Sequence, residues 1–144
     1  MNTKASNNIN IIEPIVGVVF GLVFYVLFNR FYDDIQFITS EFEEVKDFYN
    51  FSILAGVFVN LLKLFFRSYT FKTFIELVPL TIFIALAYKL WILFPFDTSV
   101  IGDKSLWDNI FRFLLAVPPI LYAIGTITSI VKVLTNEQTL SSNE

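Results

Sequence analysis

Four long apolar stretches alternate with short polar segments along the chain. They cover about residues 11–29, 50–67, 74–95 and 109–134. Each is close to the length that an α-helix needs to cross the roughly 30 Å hydrocarbon core of a bilayer. The pattern predicts an all-α, polytopic integral membrane protein, a bundle of four transmembrane helices forming one domain over 11–134. Polar tails are expected at 1–10 and 135–144.

The stretch 40–67 changes from polar to apolar while one helical face stays continuous. Residues on this face recur in steps of three or four: Phe42, Val45, Tyr49, Ser52, Gly56, Asn60, Lys63 and Arg67. On the opposite face, the charges of 43–47 give way to Leu54, Val57, Phe58, Leu61, Leu64 and Phe65. Such a reversal is typical of a helix leaving water for lipid, because the face turned from lipid holds small and polar groups. We therefore predict a short amphipathic, extramembrane helical extension at 40–49, before helix 2.

The start of that extension has two interpretations. Ser40 with Glu43 three positions later matches a capping box and predicts that helix 2 begins there. The alternative is an unbroken helix that continues from helix 1 into this region. Elsewhere, Pro95 is expected to end helix 3, and Pro118 with Pro119 to kink helix 4.

Small and polar residues within the spans predict a seam of close helix packing. Gly17 and Gly21 form a GxxxG pattern, which serves either a dimer or intrachain contacts. Asn60 is expected to hydrogen-bond between helices. The predicted seam comprises Gly17, Gly21, Ser52, Gly56, Asn60, Gly125 and Ser129.

Composition supports a membrane protein and excludes several kinds of chemistry. Of the 144 residues, 56% are hydrophobic and only 16% are charged, against about 25% in soluble domains. Cysteine and histidine are absent, which removes thiolate and imidazole catalysis and Cys or His metal sites. A net charge of −3 without a basic cluster argues against nucleic acid as a partner. Since Ser129 near Lys132 is weak evidence for hydrolysis, we expect no enzyme, no cofactor and no metal.

Ionisable residues in or near the spans are the remaining candidates for function. We single out Lys63, Arg67, Lys89 and Arg112, whereas Glu13, Glu76 and Lys132 are expected at the membrane interface, and snorkelling is the alternative for Lys63. For Lys89 and Arg112 two hypotheses stand. Either they attract the loop acids Asp97, Asp103 or Asp108, or they form a vestibule that attracts anions.

An even number of spans places both termini on one side. The basic turn between helices 2 and 3 favours the cytoplasm for that side of an inner or plasma membrane. The function expected is that of a non-catalytic membrane subunit that acts by helix packing and oligomerisation, as a scaffold, anchor or sensor component. Its partners would be the lipid bilayer and further copies or other membrane subunits, contacted through Phe42, Val45 and Tyr49. The alternative is a small oligomeric channel, pore or transporter.

Overall fold

The computed structural model describes residues 11–66 and 68–141. This part of the chain consists of helices and their connections and contains no β-strand. The helices are α1 (Ile12–Phe31), α2 (Glu43–Phe65), α3 (Tyr69–Ile75), α4 (Leu77–Leu93) and α5 (Lys104–Ser141). Short 3₁₀ turns lie at Tyr32–Asp34, Ser40–Phe42 and Thr98–Val100. The all-helical class expected from the apolar pattern is confirmed.

Four helical segments are long and apolar enough to cross a membrane: Ile12–Asp34, Ser40–Phe65, Tyr69–Leu93 and Lys104–Thr135. They correspond one to one with the four apolar stretches of the sequence, which is consistent with a multi-pass membrane protein. The third candidate span combines α3 and α4. Many large apolar side chains on these segments are exposed, including Phe20 at 71% and Phe65 at 78%.

The helices are arranged as a curved row. α1 packs along α2, α2 along α4, and α4 along α5, while α3 lies against α5 at one end. Among the described residues, α1 and α5 share no substantial interface, so the row is open between them. We call the end that holds the start of α1 and the α2–α3 connection the terminal end, and the other the loop end.

Helix 2 has two buried faces, which corrects the single stripe expected from its sequence. Tyr49 and Asn60 face α1, together with Val57, which the sequence placed toward lipid but which is 7% exposed. Val45 and Lys63 instead face the α3–α4 side. The physical reason is that α2 lies inside the row, between α1 and α4. The expected lipid-facing positions Leu54, Phe58, Leu61 and Phe65 are exposed.

The chain turns between α1 and α2, so the alternative of one unbroken helix is wrong. After the 3₁₀ turn that follows α1, Ile35 becomes extended and its N–H bonds to the carbonyl of Tyr32 at 3.1 Å. Ser40 begins a second 3₁₀ turn, and no side-chain cap is formed at the start of that turn or of α2. The capping box expected from Ser40 and Glu43 is therefore not formed.

The candidate third span differs from expectation at both ends and in its middle. It begins at Tyr69 because Ser68 caps it, accepting a bond from the N–H of Phe71 at 3.4 Å. It breaks at Glu76, three residues before Pro79, which has no N–H to donate to the carbonyl of Ile75. At the loop end it stops at Leu93, because Phe94 takes a left-handed conformation with φ of 40°.

Two connections pair with each other at the loop end. The N–H of Thr39 donates to the carbonyl of Pro95 at 3.1 Å, and that of Asp97 to Phe37 at 2.8 Å. Next to them, α5 begins at Lys104, earlier than the expected 109, because Asp103 accepts a bond from the N–H of Leu106 at 3.1 Å. α5 also continues to Ser141, through most of the expected C-terminal tail.

Candidate functional site

A buried ionic contact joins three elements at the terminal half of the row. The ammonium of Lys63 in α2 pairs with Oε1 of Glu76, and the hydroxyl of Tyr122 in α5 donates to Oε2 of the same carboxylate. The side chains of Lys63 and Glu76 are 9% and 25% exposed. We call these three residues the charge cluster. Since one carboxylate accepts from both partners, Glu76 ties α2 and α5 to the α3–α4 break.

The local backbone explains why Glu76 can reach both partners. It lies at the junction between α3 and α4, where its own φ of −63° and ψ of −19° remain in the right-handed helical region. Lys63 lies in the last turn of α2, and Glu76 directly follows α3. The two opposite charges therefore lie close to the connection between α2 and α3. An ion pair removed from water needs such additional hydrogen bonds to offset its desolvation.

Two buried threonines lie one helical turn from members of the charge cluster along the chain. Thr73 in α3 and Thr126 in α5 are 6% and 5% exposed, and the hydroxyl of Thr73 donates to the carbonyl of Tyr69 at 3.0 Å. No group of three or more His, Cys, Asp or Glu side chains in residues 11–66 and 68–141 could hold a metal ion.

A cavity of about 340 Å³ is lined by residues of α1, α2, α4 and α5. Tyr122 belongs to its wall as well as to the charge cluster, and the ring of Phe83 lies 6.3 Å from the ring of Tyr122. The only other hydroxyls among its lining residues belong to Tyr49 and Ser52, and Ser52 donates to the carbonyl of Tyr49 at 2.7 Å. The wall is thus mainly apolar. It comprises Phe24, Tyr49, Ser52, Ile53, Pro79, Phe83, Leu86 and Tyr122.

The GxxxG glycines of α1 lie against α2 within the same chain. A Cβ atom at Gly17 would lie 2.6 Å from Nδ2 of Asn60, and one at Gly21 would lie 2.5 Å from Cγ2 of Val57. Asn60 donates to the carbonyl of Gly56 at 2.9 Å, within its own helix. Toward the loop end, the side-chain amides of Asn29 in α1 and Asn50 in α2 donate hydrogen bonds to each other, at 2.8 and 3.0 Å.

The other small residues of the predicted seam are not brought together. A Cβ atom at Gly56 or Gly125 would meet no described heavy atom of a neighbouring element within 4 Å. Ser129 donates to the carbonyl of Gly125 at 3.0 Å, again within one helix. Ser52 borders the cavity instead. The seam therefore remains a prediction at these positions.

Phe42, Val45 and Tyr49, expected to contact a partner, pack within this chain. Phe42 and Val45 are 2% and 0% exposed and form a core with Tyr32, Leu86 and Leu90. The ring of Tyr49 lies 4.4 Å from that of Phe28 in α1. Their aromatic and aliphatic surfaces are therefore already occupied by intrachain contacts.

Lys89 and Arg112 rest on aromatic rings, and no ion pair joins them to an acid among the described residues. The Lys89 ammonium lies 5.3 Å from the ring centre of Phe48, and the Arg112 guanidinium lies 4.3 Å from that of Phe94. The loop acids instead serve local structure: Asp97 binds Ser99, Asp108 accepts from Thr98, and Asp103 caps α5. Of the two hypotheses for Lys89 and Arg112, neither is decided by these contacts, although each of the three acids accepts a hydrogen bond from a local partner. Arg67 lies outside the described residues.

Sequence reasoning missed two members of the charge cluster. From the sequence, Glu76 is expected at the membrane interface, and no pattern singles out Tyr122. One signal was available: Lys63 and Glu76 carry opposite charges and both lie near the α2–α3 connection, so antiparallel helices bring them together. Nothing in the sequence marks Tyr122, which lies 46 positions from Glu76. No protein-family model, curated protein or solved structure matches the chain.

Proposed function

We propose that the chain is a non-catalytic subunit of a membrane complex that acts through helix packing and oligomerisation. The observation that carries this proposal is the open row of helices. α1 and α5 each pack on one side only, and both carry exposed apolar side chains along the rest of their length. A membrane helix lacking a neighbour on one side can pair with a helix of another subunit without displacing an intrachain contact.

The small number of residues outside the candidate spans also supports this proposal. The described connections are short and hold few side chains outside the candidate spans. Little of the chain is therefore left to form a separate ligand-binding or catalytic module. We place the protein in an inner or plasma membrane, with both termini in the cytoplasm, as a scaffold, anchor or sensor component.

Single-cysteine crosslinking in native membranes tests the proposed oligomer, because the chain has no cysteine of its own. Phe20→Cys in α1 and Leu121→Cys in α5 probe the two edges of the row, where the native side chains are 71% and 63% exposed. Phe58→Cys in α2 is the matched control, since Phe58 is 61% exposed but lies on an inner helix. We expect crosslinked species from the edge positions and far fewer from the control.

Native mass measurement of the gently solubilised protein gives the second readout. A discrete assembly of several copies, or a stoichiometric partner, supports the proposal. A monomer without any partner, together with equal crosslinking at all three positions, overturns it.

A channel, pore or transporter built from several copies is the second candidate. The observation favouring it is the charge cluster, because paired charges within a membrane span often mark an ion or proton path. Flux measured in liposomes containing the purified protein distinguishes the two functions. Transport that is lost in Glu76→Gln while the assembly is retained would place this candidate first.

A further inference from the structure

The middle of α5 contains two prolines that remove backbone hydrogen bonds from the helix. Pro118 and Pro119 lie inside the helix and have no N–H to donate. The carbonyls of Leu114 and Leu115 consequently lose their helical donors, and a helix bends most readily at such a place. The segment from Ile120 to Thr135, which we call the arm, follows this point.

Few side chains hold the arm against the rest of the protein. Thr126 and Val133 are its only buried residues, at 5% and 4% exposure, and Tyr122 is half-buried. The outward positions Leu121, Ile124 and Ile127 are exposed by 57% or more. The hydroxyl of Tyr122 donates to the carboxylate of Glu76, and this side-chain hydrogen bond joins the arm to the α3–α4 segment.

We propose that Glu76 is a proton-binding site whose protonation releases the arm from the α3–α4 break. In the structure, the Glu76 carboxylate accepts from Tyr122 of the arm and pairs with Lys63 of α2. A proton arriving from water at the terminal end binds a carboxylate oxygen and removes its negative charge. The contact with Lys63 then ceases to be an ion pair, and the bond from Tyr122 weakens, because bonds to ionised acceptors are roughly twice as strong.

The surrounding charges set the conditions for this event. Lys63 from α2 and Tyr122 from α5 contact Glu76 directly, and Glu13 of α1, Lys72 of α3 and Lys132 of the arm are further ionisable residues on the described elements. In the proposed switch, the arm is held while Glu76 is ionised and paired with Lys63, and it is released when Glu76 binds a proton. The proposal goes beyond the packing function and holds with or without a partner.

Distances between pairs of nitroxide labels in bilayer nanodiscs test the proposal. One pair joins Phe58→Cys in α2 to Thr128→Cys in the arm, and the control pair joins Phe58→Cys to Leu114→Cys before the prolines. All three native side chains are exposed. On lowering the pH, the first distance distribution should shift with a one-proton titration, while the control distribution should stay unchanged. Tyr122→Phe should shift the first distance at neutral pH while Lys63 and Glu76 remain paired.

The decisive comparison is between the wild-type protein and Glu76→Gln, because glutamine is neutral and cannot take up the proton. It should show the low-pH distance at every pH. Should this variant fail to fold because Lys63 is left unpaired, the double variant Lys63→Gln, Glu76→Gln removes both charges and should likewise lose the titration. An unchanged wild-type distance across the titration overturns the proposal, and so does a wild-type-like titration in either variant.

Discussion

Gly17 of α1 lies directly against the side chain of Asn60 in α2. A Cβ atom at position 17 would be 2.6 Å from Nδ2 and 2.7 Å from Cγ of Asn60, closer than real Cβ contacts allow. One turn along, Gly21 stands in the same relation to Val57. The two helices therefore approach as closely as they do because both positions lack a side chain.

Gly17→Ala should destabilise the protein. The added methyl group must displace the Asn60 amide, which is partly buried and bound to the carbonyl of Gly56 at 2.9 Å. Overpacking of this kind costs about 1–3 kcal/mol. Thermal unfolding in detergent measures the change. Gly125→Ala is the matched control, because its methyl group meets no described neighbour within 4 Å, and its unfolding temperature should not fall. An equal loss in both variants would contradict the α1–α2 contact.

Hydropathy alone predicts the four candidate spans, because the length of an apolar stretch is a local property of the chain. The faces of α2 could not be predicted in the same way. A single stripe of small and polar residues fits a helix with one protein neighbour, yet α2 has two. Val57 is therefore buried against Gly21, whereas the sequence placed it toward lipid. Which helices become neighbours is a tertiary property that helical periodicity does not contain.

The ion pair between Lys63 and Glu76 should show strong coupling in a double-mutant cycle. Either single change to methionine leaves its partner buried without a countercharge, which costs about 3–5 kcal/mol. The double variant should be less destabilised than the sum of the two, as measured by unfolding in a denaturing detergent titration. The exposed pair of Lys46 and Glu43, at 3.1 Å, is the control and should couple by about 0–1 kcal/mol. Additive effects at Lys63 and Glu76 would show that they are independent.

The charge cluster illustrates where sequence reasoning on the candidate site stops. Lys63 could be selected because ionisable groups in membrane spans are costly and often functional. Glu76 is expected at the interface because the apolar pattern starts the third span at about residue 74, which puts Glu76 in the first turn of that span. In the structure the candidate third span begins at Tyr69, and the Glu76 carboxylate contacts Lys63 of α2 and Tyr122 of α5.

Arg112 and Lys89 should differ in their contributions to stability, although both are single cations near the loop end. Arg112 is half-buried and lies 5.1 and 4.3 Å from the ring centres of Trp91 and Phe94. Lys89 is exposed and faces only Phe48, at 5.3 Å. Arg112→Met should therefore lower stability by about 1–2 kcal/mol, and Lys89→Met by less than about 0.5 kcal/mol. Thermal unfolding in several sodium salts measures both. An anion dependence lost only in Lys89→Met would instead support the vestibule hypothesis.

Acid should lower the stability of the loop end by protonating the carboxylate of Asp97. Its carboxylate accepts bonds from the hydroxyl and the backbone N–H of Ser99, at 2.6 and 3.1 Å. These bonds, the hydroxyl bond foremost, lower the pKa of Asp97 below its ordinary value of 3.8. A carboxyl with a lowered pKa in the folded state contributes stability above the unfolded pKa and loses it as the pH falls through the folded pKa. The effect is therefore confined to strongly acidic conditions, below about pH 3.8.

Ser99→Ala removes the hydroxyl bond but keeps the backbone bond, so the pKa of Asp97 should rise toward its ordinary value. Carboxyl ¹³C chemical shifts of Asp97, followed through an acid titration in micelles, measure this pKa directly. Ser105→Ala changes an exposed serine at the same end of the protein and should leave the titration unaltered. If Ser99→Ala has no effect on the midpoint, the Ser99 hydroxyl does not stabilise the ionised carboxylate, and the local turn is held by its backbone bonds alone.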